Sequence, residues 1–426
     1  MRSPFSFSSP TVLALTVSAL LGAHGAVHAR SEVERVAAAI ASRPPKEAPP
    51  PAPAAKPAPP PCLQPQGEPL SAQKIMQDLA AGRSVDLQGR IIDGSLDADA
   101  VGVASDEHRT SLRIVPGRLR LDACRINGRV MMPRAVLAQD VVITCSEIVG
   151  DVELSDAMVP ALMLDRTKVL GDVHLARTIV DREVTLRGAT VEGSFDASGG
   201  RTGGIVMPGA EVHRDVEISH EVIQSLEMTT TLVNGSVKLD DVLIVNSLTA
   251  HEAKIGRAMT FDTVRIAGGM DLNDLAPTGG LSAVNLTVEG SLMLSISGDF
   301  AVAFQDIVVG QKLVMVDGEF GDVNLERMRV RMGSEMQGSR FRKKLIVGDT
   351  DFGSLFSASQ ARFEGQTEFQ NVRFAGQDPM AGAVFASAPV LVDTVLPVPP
   401  VLMGDEGANG ESNEGDDGGE EPDPKP

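Results

Sequence analysis

The sequence predicts an all-β fold, a parallel four-sided β-helix solenoid of about 13 coils with a short capping helix at its N-terminal end. Three observations predict it: apolar triplets recur every 21 to 22 residues, no helical period appears after Val85, and glycine recurs at one point of the repeat. One series of triplets starts at Leu119, Val141, Leu162, Val184, Ile205, Leu226, Leu248, Met270, Leu292 and Leu313. Other series interleave with it, one running Val130, Val152, Val173, Phe195, Val216, Val237 and Met259, another Ala135, Ala157, Thr178, Glu221, Val242, Val264, Leu286 and Ile307. A strand alternates sides with period two, so only the outer members of each triplet share one interior. Four short strands per repeat, turned at a constant interval, describe a coil whose equivalent residues stack on one another. Two residues before the Val130 series stand Gly128, Gly150, Gly171, Gly193 and Gly235, then Gly279, Gly321 and Gly365, which reads as a corner of positive φ.

The segments follow in order. Residues 1–29 read as an export signal: Arg2, an apolar run from Thr11 to Ala23 and the small-residue site Val27-His28-Ala29. The run is shorter than the roughly 18 apolar residues of a membrane span, and no later stretch reaches that length, so no transmembrane segment is expected. Residues 30–70 form a Pro/Ala-rich spacer of polyproline character. In residues 71–84 Ser71 can cap a helix, Ile75, Met76, Leu79 and Ala80 share a face, and Gly82 can close the end. The repeat occupies residues 85–377, and residues 378–403 form an apolar, proline-punctuated extended segment. Residues 404–426 hold nine acids and one base, a composition that leaves a solvated, disordered tail.

The net charge of −19 disfavours binding to nucleic acid phosphates. With no Trp, no Tyr and 14 Phe that lie mostly from Phe300 onward, the core must be narrow and filled by Val, Ile, Leu and Met. The three cysteines are too few for a disulfide framework. Cys124 reads as a core residue; register would pair it with Ser146, which leaves Cys145 the better partner for Cys62 in an oxidising compartment.

The pairs Ala135/Leu137, Ala157/Val159, Ala189/Val191, Ala210/Val212 and Ala253/Ile255 place a small residue two positions before a large apolar one. The stretch SRFRKKLIVGDTDFGSLFSASQARFEGQTEFQNVRF spaces Phe341, Phe352, Phe363, Phe369 and Phe374 by five, six or their sum. In both features residues 85–377 resemble the pentapeptide-repeat proteins. The resemblance implies a right-handed quadrilateral β-helix and a scaffold in place of an enzyme. Coils of 21 to 22 residues instead of 20, and β-branched residues and Met where that family has its consensus, mark this chain as divergent.

The sequence carries no HExxH, CxxC, GxSxG or Walker motif, so no catalytic, metal or cofactor group is implied. Outward positions after the Val130 series read Met131, Glu153, His174, Asp196, Glu217 and Lys238, an ordinary wet face. The neighbouring faces differ, because their outward residues are themselves apolar: Val142, Met163, Val206, Met293 and Val314 on one, and Val136, Met158, Ile179, Val222, Leu243 and Val308 on the other. A continuous patch of this kind marks a contact surface. Two occupants stand open, either the apolar segment 381–403 folding back or a protein partner, which includes a second copy. The function expected is an exported structural or protein-interaction scaffold in the periplasm or at the surface of a bacterium, without catalytic activity. The alternative is a β-helix binding module or enzyme for envelope polysaccharide, which lengthened loops at 196–204 and 276–280 around an acidic groove would favour.

Overall fold

The computed structural model describes residues 62, 64–100, 103–104, 112–296, 298–376, 380–396 and 398–403; the export signal, most of the spacer and the acidic tail lie outside these. The described chain is a parallel β-solenoid of about 14 turns, since the longest of its walls contains 14 strands. Its four walls follow one another in chain order. The first opens with Leu70–Ser71, Ile91–Asp93 and Arg125–Asn127, runs to Ala276–Pro277, lapses around Ile296 and resumes from Glu319–Phe320 to Val401–Leu402. The second spans Leu96–Asp97 to Val390–Val392, the third Val103–Ala104 to Arg329–Val330, and the fourth Val85–Gln88 to Leu355–Ser357.

Each strand bonds to the strand one coil away, so residues 21 or 22 apart sit side by side: Val141 with Leu162 in the fourth wall, Val152 with Val173 in the second. This register puts like on like. The columns Val130–Val152–Val173–Phe195–Val216 and Leu119–Val141–Leu162–Val184–Ile205 are all essentially inaccessible and line a single continuous core. From Phe320 onward the interior widens to aromatic packing, where Phe320, Phe341, Phe363 and Phe385 stack in the first wall with ring centroids 5.3, 5.2 and 4.5 Å apart.

The corners come in two kinds, and they correct the sequence reading. Gly128, Gly150, Gly171, Gly193, Gly235, Gly279, Gly321 and Gly365 all lack positive φ, which at this corner belongs to Gly94 in the first coil and to Gly280 beside Gly279. Those corners are crowded instead: a Cβ on Gly128 would stand 2.6 Å from the carbonyl carbon of Gly94, and one on Gly365 would stand 1.7 Å from the Lys343 oxygen. Glycine is required there because one coil passes directly over the backbone of the last. The left-handed corners are the other two, after the second and fourth walls, and they use mostly non-glycine residues, among them Arg134, Asp156, Arg177, Asp241 and Asp306. At several of them the next residue is a small buried hydroxyl. Thr167 donates to the Ile143 carbonyl, Thr178 to Leu154 and Thr231 to Met207, each reaching the previous coil.

At the N-terminal end the core is covered. The helix α1 (Ala72–Ala80) buries Ile75, Met76 and Leu79 against the first coil. Ser71 stands at its N-cap without a side-chain hydrogen bond, contrary to the expected cap. The first coil also carries an insertion absent from the later ones, and its strand Val103–Ala104 pairs antiparallel with Arg113–Val115 along the free edge of the third wall. At the other end the ladder does not stop at residue 377. Val384–Phe385 pairs with Arg362–Phe363, Val390–Val392 with Glu368–Gln370, and Val401–Leu402 with Val384–Phe385. The apolar segment after residue 377 therefore adds a further coil to the rod and does not fold back along its side.

Candidate interaction surface

The outward residues of the third wall form one column: Ile114, Val136, Met158, Ile179, Arg201, Val222, Leu243, Arg265, Thr287, Val308 and Arg329. Those of the fourth run Arg120, Val142, Met163, Thr185, Val206, Glu227, Thr249, Asp271, Met293, Val314 and Glu335. The expected continuous stripe is thus interrupted. Strict stacking obliges each coil to supply its own residue, and Arg201, Arg265, Glu227 and Asp271 are the residues some coils supply.

What the stacking brings together is a cluster on the N-terminal half. Val136, Met158 and Ile179 share their coils with Val142, Met163 and Thr185 around the corner between the two walls, with Val206 one coil further on. Met158 is 43% exposed, Ile179 is similar, and Val136, Val142 and Met163 are half-buried. Val206 is only 7% exposed, so it supports the surface more than it presents one. Ile114 extends the cluster by one coil. It falls outside the apolar series because the insertion in the first coil breaks the spacing ahead of it. Val222 and Leu243 form a second, smaller group beyond Arg201, and Met293, Val314 and Val308 a third near the C-terminal end. Gly203 and Gly204 leave a shallow groove of about 280 Å³ at the corner beside Met163 and Val206, rimmed by Arg182 and Glu183.

The second wall keeps Met131, Glu153, His174, Asp196, Glu217 and Lys238 in one outward column. These groups are occupied locally: Glu153 accepts from the Ser155 amide, Asp196 from the Ser198 hydroxyl, and Lys238 pairs with Asp240 at 3.2 Å. Neither loop whose length would favour an enzyme is lengthened, since residues 196–204 contain the strand Arg201–Thr202 and residues 276–280 open with the strand Ala276–Pro277. Among the described residues no group of three or more His, Cys, Asp or Glu is arranged to hold a metal ion.

Two features were not singled out by sequence, and a third, the cysteine pairing, was. On the first wall and its following corner His213 is held between Glu192 at 2.7 Å and Glu211 at 2.9 Å, while Lys168 pairs with Glu192 at 2.8 Å; all four are solvent-accessible. Inside the third wall Glu221 is 2% exposed. Burial pushes its carboxyl up to about 7, against the opposing pull of hydrogen bonds from the Thr202 hydroxyl and the Gly200 amide. Gly200 makes the room, because a Cβ there would stand 2.2 Å from the Thr178 oxygen and 3.0 Å from a Glu221 carboxylate oxygen. Finally, Cys62 is bonded to Cys145, and Cys124 is buried with its amide on the Ser146 hydroxyl at 3.0 Å, as the register requires. Burial raises the Cys124 thiol above its ordinary range. No family model, curated protein or solved structure matches this chain.

Proposed function

We propose that this chain is an exported, non-catalytic interaction scaffold of the bacterial envelope, a divergent relative of the pentapeptide-repeat proteins. The carrying observation is the cluster of outward apolar residues on a rod of regular coils: Val136, Met158 and Ile179 on one wall and Val142 and Met163 on the next. Aliphatic side chains held outward on a rigid parallel sheet offer a contact surface with little entropy left to lose on binding. Export is supported by the signal-like residues 1–29 and by the Cys62–Cys145 bond, which an oxidising compartment preserves.

The size of the cluster sets the strength of the contact. Four strands about 4.8 Å apart across two walls roughly 10 Å wide give on the order of 400 Å². A stable interface needs about 800 Å² per partner, so this surface fits a reversible protein contact, with the groove at Gly203 and Gly204 open to one inserted side chain. Replacing Val142, Met163 and Leu243 by Lys tests the reading. Proteins cross-linked to the rod in cells should be lost while circular dichroism and melting are kept; an unchanged set of cross-linked proteins removes the proposal.

A further inference from the structure

The outward columns of the third and fourth walls differ in the sign of their charges. On the third the charged members are Arg201, Arg265 and Arg329. On the fourth, Arg120 apart, they are acids: Asp86, Glu227, Asp271 and Glu335. The chain passes from the third wall directly into the fourth, so each third-wall residue lies about a quarter of a coil, roughly 1.2 Å, from the level of the fourth-wall residue that follows it. Like therefore stands level with like, or charge with countercharge: Met158 with Met163, Val308 with Val314, Arg265 with Asp271 and Arg329 with Glu335. Within one chain these partners point away from one another round the corner. The corner itself carries small residues over much of its length, among them Gly204, Ser225, Ser247, Gly269 and Ser291.

We infer that the partner of this surface is the chain itself: four copies stand parallel around a four-fold axis, the third wall of each against the fourth wall of the next. The inference rests on the reading of these walls as an interaction surface and names its occupant. Two walls that meet at about a right angle cannot both be covered by one neighbour, whereas four such corners fill the circle, and the small residues let the four edges approach the axis. A closed ring permits no shift along the rod, so residues at one level meet across the contact. Arg201 faces Val206 and reaches Glu227 one coil further on, while Ile114 opposite Arg120 and Val222 opposite Glu227 are mismatched. Copies alternating in direction round the same ring would set third wall on third and fourth on fourth, joining columns of one sign, so charge selects the parallel arrangement. Arg265 also pairs with Glu289 and Glu335 with Lys312 inside the chain; charge thus fixes the register and the apolar pairs supply most of the attraction.

Area sets the stoichiometry. Outward columns of eleven residues, about 4.8 Å apart on walls roughly 10 Å wide, give about 500 Å² per wall. A pair of copies buries only that much each, below the roughly 800 Å² of a stable interface, whereas in the ring every copy buries about 1,000 Å². Dimers are therefore poorly populated, and assembly runs from monomer to tetramer.

Sedimentation velocity on the mature chain, disulfide intact, should show monomer giving way to a species of fourfold mass as concentration rises. Met158→Lys should leave the chain monomeric with its circular dichroism unchanged. Arg265→Glu sets acid against acid and Asp271→Arg sets base against base, so each alone should raise the midpoint concentration of assembly by about tenfold or more. An equimolar mixture of these two variants should recover it, because alternation round the ring restores opposite charge at every contact. A monomer at every concentration, a persistent dimer, single variants that assemble like the parent, or a mixture that fails to recover would overturn the inference. A monomer to which a different protein still cross-links in cells overturns the self-assembly alone; a monomer that cross-links to nothing takes the interaction reading with it.

Discussion

Glu221 offers the sharpest test of how the coils stack, because its carboxyl lies inside the tube at a position that small or apolar residues fill in the neighbouring coils. The perturbation is Glu221→Gln, which keeps the shape, one acceptor oxygen for the Gly200 amide and an NH2 that can donate to the Thr202 hydroxyl, but removes the charge. Burial raises the carboxyl from 4.5 to about 7, with the charge of Asp196 a smaller contribution in the same direction. The folded state therefore binds this proton more tightly than the unfolded chain. Stability from this group is full below about pH 4.5, falls as pH rises through the folded value near 7, and is level above it. The interval corresponds to about 3 kcal/mol. The assay is urea unfolding of both proteins from about pH 5 to about pH 8, taken as a difference so that all other groups cancel. The two should match within about 1 kcal/mol at the acid end, with the Gln variant ahead by about 2 to 3 kcal/mol at the alkaline end. Exchange of the Gly200 amide, which bonds to the carboxylate, gives a local readout of the same change. Parallel curves, or a Gln variant weaker by a constant amount at every pH, would refute a buried and strained carboxyl here.

Two further outcomes follow from the corners and the disulfide. Gly203→Ala would place a Cβ 1.7 Å from the Arg182 carbonyl oxygen and should cost several kcal/mol or abolish folding, whereas Gly209→Ala, at φ +65° with only the Thr230 hydroxyl at 3.8 Å, should cost about 1 to 2 kcal/mol; urea midpoints distinguish them. Cys145→Ser opens a bond that closes an 83-residue separation and should lower stability by about 4 kcal/mol on the loop-entropy account, while an unchanged midpoint would mean that Cys62 is already held in the unfolded chain.

Much of this fold is legible in the sequence because a solenoid makes long-range contacts periodic. A residue's neighbour lies 21 or 22 positions away, so the columns from Val130 to Val216 and from Leu119 to Ile205 could be written down before any coordinate was known. The same arithmetic paired Cys124 with Ser146 and so turned Cys145 toward Cys62. It also placed Val136, Met158 and Ile179 on one wall and Val142, Met163 and Val206 on the next.

What the period cannot carry is anything set by distance between coils or by departures from the period. The crowded glycines look like turn residues in sequence, and only the approach of Gly128 to Gly94 reveals a missing Cβ as the requirement. The insertion before Arg113 hid Ile114 and the strand that seals the third wall. Proline masked the last coil, whose strands at Val384–Phe385, Val390–Val392 and Val401–Leu402 hold register through hydrogen bonds that leave no compositional trace. The ionisation of Glu221 was likewise decided in three dimensions, whereas the break in the apolar stripe at Arg201 and Glu227 follows from the period itself. Periodicity in one dimension states which residues meet; only the stacked backbone states how closely they meet and how much water is left between them.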